Sequence, residues 1–292
     1  MKKLIILIIL WPTLFLSCGR GKNQELSSIP ETVSFRAASY NIRYNPKADV
    51  ASGNGWEKRK EPLSHLIVQN QFDLVGTQEG DSTQIADLKG LLPGFDYVGY
   101  PYGGKTHDLH NCATFYKKDL FTVLDKGVFW FSETPDDPSI GWDATDRRIC
   151  TWTKFKVNGT EKVFFVFNSH FYWRLKKAKE KSGPLLVEKI KQIAKDNPVI
   201  ALGDLNSTIN TSQIKAIKGL LSDAFEITES PRQGVEGTNL GGGVFQGNAK
   251  NRIDYIFVSS AFTVEDYLVI SDKYEGNKHP SDHLPVSSRL SF

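Results

Sequence analysis

Cysteine is scarce in this chain, with three in 292 residues, at positions 18, 112 and 150. That scarcity excludes the disulfide framework of a small secreted scaffold, and no two of the three lie at metal-ligand spacing. Cys112 and Cys150 fall in strand-like apolar runs, where buried free thiols are expected in preference to a bridge. An excess of one charge is lacking as well. Lys and Arg total 36 against 33 Asp and Glu, a formal +3 that falls to +1 (34 against 33) when Lys2 and Lys3 are set aside with the N-terminal segment. A long polyanion normally meets a basic stripe. The nearest candidate is Lys176, Lys177, Lys179, Lys181, Lys189, Lys191 and Lys195, interleaved with apolar Leu175, Ala178, Leu185, Leu186, Ile190 and Ile193 at helical spacing, so these lysines read as the solvated face of an amphipathic helix. Nucleic acid as a partner stays open but is not favoured by charge. Internal repeats and low-complexity linkers are missing too, which favours one domain.

What is present begins with the N-terminus. Lys2-Lys3 precedes an apolar stretch from Leu4 to Trp11, continued through Leu14, Phe15 and Leu16 to Ser17-Cys18. A spanning helix needs roughly 20 apolar residues, so this shorter run reads as a secretory signal, residues 1–18, with Cys18 as the lipid-modified cysteine of a bacterial lipoprotein. Phe15 and Leu16 are bulkier than usual before such a cysteine, and ordinary signal cleavage is the alternative. Residues 19–32 are polar with Gly, Ser and Pro, as suits a tether. The expectation is a cell-envelope protein, held to the membrane through its N-terminal lipid, with a folded domain over 33–292 and a monomeric state.

Within 33–292, 40% hydrophobic and 12% aromatic composition across the chain supports a well-buried core. Strands are expected at 35–43, 72–78, 113–117, 151–157, 162–170, 199–202, 253–259, 263–270 and 284–290, with Asn158-Gly159 as a two-residue hairpin turn. Helices are expected at 57–70, 82–92, 174–195 and 212–221. Direct strand-to-strand turns require antiparallel pairs, so a purely parallel sheet is excluded and two mixed sheets packed face to face with helices outside fit the pattern.

Polar residues fall repeatedly at the ends of these strands: Asn41, Glu79, His170, Asp204 and Asp254. Gly203-Asp204-Leu205-Asn206 closes one apolar run, and residues two apart on an extended segment point to the same side. Asp204 and Asn206 therefore face one reacting group together, while Ser281-Asp282-His283 adds a carboxylate and an imidazole. Acid, amide and imidazole groups of this kind suit charge-stabilised phosphoryl transfer. Each alone has a plainer reading as a turn former, strand end or cap.

Six short motifs occur in order: Tyr40-Asn41-Ile42-Arg43, Gly76-Thr77-Gln78-Glu79, Asn168-Ser169-His170, Gly203-Asp204-Leu205-Asn206, Arg252-Ile253-Asp254-Tyr255 and Ser281-Asp282-His283. Together they resemble the endonuclease/exonuclease/phosphatase superfamily of DNase I-like phosphoesterases over essentially 34–292. The resemblance implies a four-layered α/β/β/α sandwich with two mixed, mainly antiparallel sheets, and hydrolysis of a phosphodiester or phosphomonoester assisted by a divalent metal, usually Mg2+, with Mn2+ also admitted. It implies Glu79 as principal metal ligand with Asn41 and Asp282, and Asp204 as the residue that orients or deprotonates the attacking water. It further implies Asn206 as a donor to phosphate, His283 as the phosphate-contacting histidine held by Asp254, and His170 as a second histidine with a less definite role. The run Arg147-Arg148-Ile149-Cys150-Thr151-Trp152 is similar to an Arg-x-x-Thr-Trp pattern of bacterial members, which implies Arg148 as a candidate fork for phosphate oxygens, with a surface or structural ion pair as the plainer reading. The run His110 to Tyr116 resembles the stretch before the Ala-Thr-Phe strand of deadenylase-like relatives, which makes His110 and Asn111 candidate substrate contacts. His65, His107 and His279 read as structural or surface residues.

One departure from the pattern bears on substrate. Many bacterial relatives follow the first histidine pair with Asp-His, whereas here His170-Phe171 is followed by Tyr172-Trp173, so aromatic surface replaces polar groups and either a sugar ring, a base or core packing would use it. An envelope nuclease acting on DNA or RNA, a silent lipoprotein that captures a phosphorylated ligand or glycan, and a glycosidase remain as alternatives. The last has no need of the accompanying Asn and His residues.

Overall fold

The computed structural model describes residues 32–103 and 110–292. Cys18, the signal-type segment, the tether through residue 31 and His107 lie outside the described residues. Thr32–Phe292 forms one unit, and none of its described helices is long and apolar enough to cross a membrane.

The strands, numbered in chain order, pair into two mixed sheets. The first contains β1 (Ser34–Asn41), β2 (Leu74–Gln78), β3 (Phe95–Pro101), β4 (Asn111–Lys117), β10 (Gln233–Gly234), β12 (Thr263–Val264), β13 (Leu268–Val269) and β14 (Val286–Ser291). Its order is β10-β13-β14-β1-β2-β4-β3, with β12 also on β14. The second contains β5 (Phe121–Trp130), β6 (Ile149–Val157), β7 (Val163–His170), β8 (Val199–Asp204), β9 (Ser222–Asp223) and β11 (Asp254–Val258), in the order β5-β6-β7-β8-β11-β9. β1 runs parallel to β2 and β7 parallel to β8, and most other neighbours are antiparallel.

Strict alternation along the strands builds the layers. On β7, Phe164 and Val166 enter the core between the sheets, while Phe165 and Phe167 join a second cluster. That second cluster packs against α4 (Lys176–Ala194) and α5 (Ser212–Lys218) through Leu186, Ile190, Ile214 and Ile217. Ala38 and Tyr40 of β1 face a third cluster with Leu63, Leu66 and Ile67 of α2 (Trp56–Gln69) and Ile85 and Leu88 of α3 (Ser82–Leu91). The result is the four-layered α/β/β/α sandwich. Gly183 of α4 lets that helix approach α5, because a Cβ there would fall 2.2 Å from the Gln213 carbonyl oxygen.

The sequence pattern missed β3 and β5, both of which are sheet edges. Edge strands carry polar and charged residues that blunt further pairing, and β5 (FTVLDKGVFW) also breaks register between Val123 and Asp125. The expected strand 263–270 is split into β12 and β13. Glu265 and Asp266 between them turn to Arg289, and Asp266 also forks onto Arg36 at 2.6 and 3.0 Å. The Asn158-Gly159 hairpin exists, but its loop is longer than two residues, since the Val157 N–H closes on the Lys162 carbonyl. The lysines of α4 lie largely on its exposed side. Cys112 and Cys150 are buried and free, as expected.

Candidate active site

The inward face of each central strand changes from apolar to polar toward one rim. Phe35, Ala37, Ser39 and Asn41 follow one another on β1; Leu74, Gly76 and Gln78 on β2; Phe164, Val166, Asn168 and His170 on β7. Ile200, Leu202 and Asp204 do so on β8, and β11, running the other way, places Asp254 opposite Asp204. The sheets approach closely here, since a Cβ on Gly76 would meet Leu202 Cδ1 at 2.1 Å. Beneath the rim, Gln78 Nε2 donates to Asn168 Oδ1 at 2.7 Å and Asn168 Nδ2 to the Thr77 carbonyl at 3.1 Å. This polar rung ties the two sheets together and fixes the height of the residues above it. Arg43 (φ 55°), Glu79 (φ 69°) and Asn206 (φ 46°) sit in the left-handed region that non-glycine residues seldom occupy, a concentration of backbone strain typical of functional sites.

Asp204 is central. Its Oδ2 accepts from Asn41 Nδ2 at 2.9 Å and lies 3.4 Å from His170 Nε2 and 3.8 Å from His283 Nε2, while Oδ1 accepts from the Asn206 N–H at 2.9 Å. Burial pushes its carboxyl up to about 7, with the His283 cation opposing the rise and the charge of Asp254 adding to it. That is a pKa suited to a base working near neutrality. Glu79 accepts from Asn41 Nδ2 at 3.0 Å. Burial would raise its pKa, but the neighbouring imidazoles, of which His283 is the cationic one, together with the Asn41 amide hold it down at about 2, so it stays charged.

His283 Nδ1 donates to Asp254 Oδ2 at 2.9 Å, and the Asn239 amide lies 2.8 Å from Nε2. Burial opposes its charge, yet Asp254 and Asp204 raise its pKa well above that of a free imidazole, so the ring is cationic. His170 behaves oppositely. Burial, reinforced by Arg148, drives it well below the usual value and keeps it neutral. Its Nδ1 contacts the Tyr102 hydroxyl at 2.6 Å, and its Nε2 lies 3.0 Å from Asn206 Nδ2, which also donates to the Phe171 carbonyl at 3.0 Å.

Each expected site residue has a place. Asn41, Glu79, Asp204, Asn206, His170, Asp254, His283 and Asp282 gather at the rim, and all but Asn41 and Asp254 line one cleft of about 730 Å³, which also takes in Arg148, His110 and Trp173. Two expectations change. Asn111 is buried with its side chain donating to the Gly80 carbonyl at 3.1 Å, where it supports the Glu79-Gly80 turn, and it is not among the residues that line the cleft. Asn41 spends its amide nitrogen on Glu79 and Asp204 while its oxygen accepts from the Arg43 N–H at 3.0 Å. In this arrangement it bridges two carboxylates as a donor, and only a half-turn of the amide would offer oxygen to a metal.

Ligand atoms of Glu79, His170 and Asp204 lie within 4.8 Å of one another, as do those of Asp204, Asp254 and His283. Asp282, on the same cleft, accepts from the Gly243 N–H at 2.7 Å and lies 3.6 Å from Arg43 Nε. Carboxylate-rich surroundings beside a charged Glu79 fit a hard divalent cation.

Sequence reasoning missed Tyr102, Asn239, Arg43 and Arg59. Arg59 is fully buried (0% exposed) and donates to five backbone carbonyls, those of Asn54, Ile42, Pro280, Arg43 and Tyr44, at 2.8 to 3.0 Å. It thereby joins the segment after Asn41 to the one before Asp282. Ser281 Oγ adds a 2.7 Å bond to the Asn41 carbonyl. A helical arginine with no motif around it carries no such signal in the sequence.

Comparison with known proteins agrees with this fold. The sequence pattern of the Endonuclease/Exonuclease/phosphatase family matches residues 38–283. An endonuclease/exonuclease/phosphatase family protein from Bacteroides thetaiotaomicron is 38% identical, with a TM-score of 0.84 over 90% of this chain and 99% of that one. A mannosyl-6-phosphatase from the same species is likewise 38% identical, with a TM-score of 0.84 over 88% of this chain and 100% of that one. An uncharacterized protein of Acanthamoeba polyphaga mimivirus is 29% identical over 79% of this chain and 90% of its own length. With its six motifs gathered at one rim of a DNase I-like sandwich, the chain belongs to the Endonuclease/Exonuclease/phosphatase family of hydrolases.

Proposed function

We propose that the protein is a metal-dependent phosphoesterase of the cell envelope, held outside the cytoplasm through Cys18, that hydrolyses a small organic phosphate ester, with a sugar phosphate as the leading substrate class. The observation that carries the reading is the Asp204 carboxylate, poised near pH 7 between a cationic His283 and a neutral His170 at the mouth of a cleft. Asp204 orients and deprotonates water for in-line attack on phosphorus. His283, kept cationic by Asp254, donates to the phosphate oxygens as negative charge builds there. Asn206 exchanges its contact with His170 for a phosphate oxygen. Glu79 and Asp282, with Asn41 after a half-turn of its amide, would hold a magnesium or manganese ion, whose chemistry when bound is to neutralise charge on the transferred phosphoryl group.

Two observations support a sugar as the group carrying the phosphate. Trp173 lines the cleft with 56% of its surface exposed, beside Ile140 at 48%, and an exposed indole at a cleft wall is a natural platform for a sugar face. The 38%-identical neighbour is a mannosyl-6-phosphatase. The test is a panel of sugar phosphates, nucleotides, phospholipid headgroup esters and oligonucleotides, assayed with EDTA and with magnesium restored. Magnesium-dependent turnover of the sugar esters with weak salt dependence is expected. Preference for oligonucleotides with steep salt dependence would overturn the substrate class, and failure on every ester would overturn the activity.

A further inference from the structure

Two buried arginines near the cleft differ in one respect. Arg59 uses all five of its N–H groups on backbone carbonyls, the arrangement expected of a structural guanidinium. The side chain of Arg148, 8% exposed, makes no hydrogen bond and no ion pair among the described residues. Tyr102 and Tyr172 flank it at 5.6 and 5.8 Å, its Nε is sealed from solvent without a partner, and the side chain lines the cleft with His110, His170 and Glu79. Its main chain is tied in place, since it leads directly into β6 and its carbonyl accepts from the Phe131 N–H at 2.8 Å. Arg147 beside it, also on the cleft, has an unpartnered buried Nε as well.

A buried cation without a counter-charge is destabilising unless a ligand supplies one. Arg147 and Arg148 both line the cleft where the reaction site opens. We propose that Arg148 forms an anion subsite that makes the enzyme selective for phosphomonoesters, by forking onto the third non-bridging oxygen, which a monoester has and a diester lacks, together with one of the other two. This rests on the phosphoesterase reading of the cleft. A monoester is close to doubly charged above about pH 7 and has three non-bridging oxygens, whereas a diester has one charge and two such oxygens. His283 and the residues around Glu79 and Asp204 serve either ester. The guanidinium fork matches that one additional oxygen, taken together with a neighbouring one, and the additional charge.

The experiment compares the full chain with its Arg148→Met and Arg148→Lys variants on glycerol phosphate and on the methyl diester of glycerol phosphate, with magnesium present. Thermal unfolding of the metal-free proteins with and without inorganic phosphate is measured alongside. Arg148→Met is expected to lower kcat/KM for the monoester by roughly 10- to 100-fold, the scale of a charge-assisted hydrogen bond, while the diester changes less than about threefold on the same scale. Arg148→Lys, which keeps the charge but not the fork, falls between. Without phosphate, Arg148→Met unfolds at the same temperature as wild type or higher, and the stabilisation by phosphate is lost. Equal losses on both esters with a lowered unfolding temperature would mean a structural arginine and overturn the proposal. So would a loss confined to the diester, which would place Arg148 on the esterified side of the phosphate. If the wild type cleaves neither ester, the same comparison is run on the sugar phosphate it does cleave and on that compound's methyl diester. Failure on every ester overturns the broader activity, and the phosphate-dependent unfolding still decides whether Arg148 holds an anion.

Discussion

Replacing Arg59 by Met removes five donors at once. The bonds to the Ile42 and Pro280 carbonyls are wholly buried, and those to Asn54, Arg43 and Tyr44 are only partly so, which leaves the latter three carbonyls within reach of water. A buried carbonyl left dry costs about 1–3 kcal/mol, so two of them amount to about 2–6 kcal/mol. Part of this is offset because the guanidinium no longer has to be desolvated, which leaves about 3 kcal/mol of net destabilisation. A domain of this size shifts by roughly 2–4 °C per kcal/mol, so the unfolding temperature is expected to fall by roughly 6–12 °C in calorimetry. The loosened segments carry Asn41 and Asp282, and a lost supporting contact typically weakens metal affinity by about 10–100-fold. Magnesium titration of the folded variant below its transition should show that loss, and Arg59→Lys, with three donors instead of five, should lie between. An Arg59→Met protein that unfolds within a degree of wild type and binds magnesium equally well would refute the idea that this residue positions the site.

Asp204→Asn should reduce kcat by on the order of a hundredfold or more with normal folding by circular dichroism, and a loss below about tenfold would remove Asp204 from its assigned role. The same variant tests the electrostatics of the metal-free protein. A carboxyl raised to about 7 in the fold binds its proton more tightly there than in the unfolded chain, so the charged form weakens the fold as pH rises from about 4 through 7. Asp204→Asn should therefore match wild type in stability near pH 4 and exceed it at pH 8; equal stability throughout would contradict the raised pKa. Trp173→Ala should raise KM several-fold for a sugar phosphate, on the scale of about 1 kcal/mol for a partly exposed aromatic contact, and leave glycerol phosphate unchanged. An equal change on both substrates would deny the platform.

Much of the architecture was legible because alternation survives in the central strands. β7 reads Val-Phe-Phe-Val-Phe-Asn-Ser-His, and its switch from apolar to polar on one face already marked the rim. The edge strands β3 and β5 were not legible, because their residues answer to solvent as much as to the core. The carboxylates and histidines at the rim were found because their motifs are local. Arg59, Tyr102 and Asn239 were not, since each acts through a contact far along the chain: Arg59 reaches Pro280, Tyr102 reaches His170, and Asn239 reaches His283. Asn111, named through the resemblance of the run 110–116 to deadenylase-like relatives, has its side chain turned by β4 toward Gly80, a contact that the local sequence does not signal.

The central claim is that Asp204 directs water at phosphorus while a cation is held close to Glu79. Hydrolysis of the best phosphate ester in oxygen-18 water, with mass spectrometry of both products, tests it most directly. With magnesium present the label should enter the released phosphate and not the alcohol, and chelation should abolish turnover until magnesium is restored. Label in the alcohol, or undiminished turnover under chelation, would contradict the account.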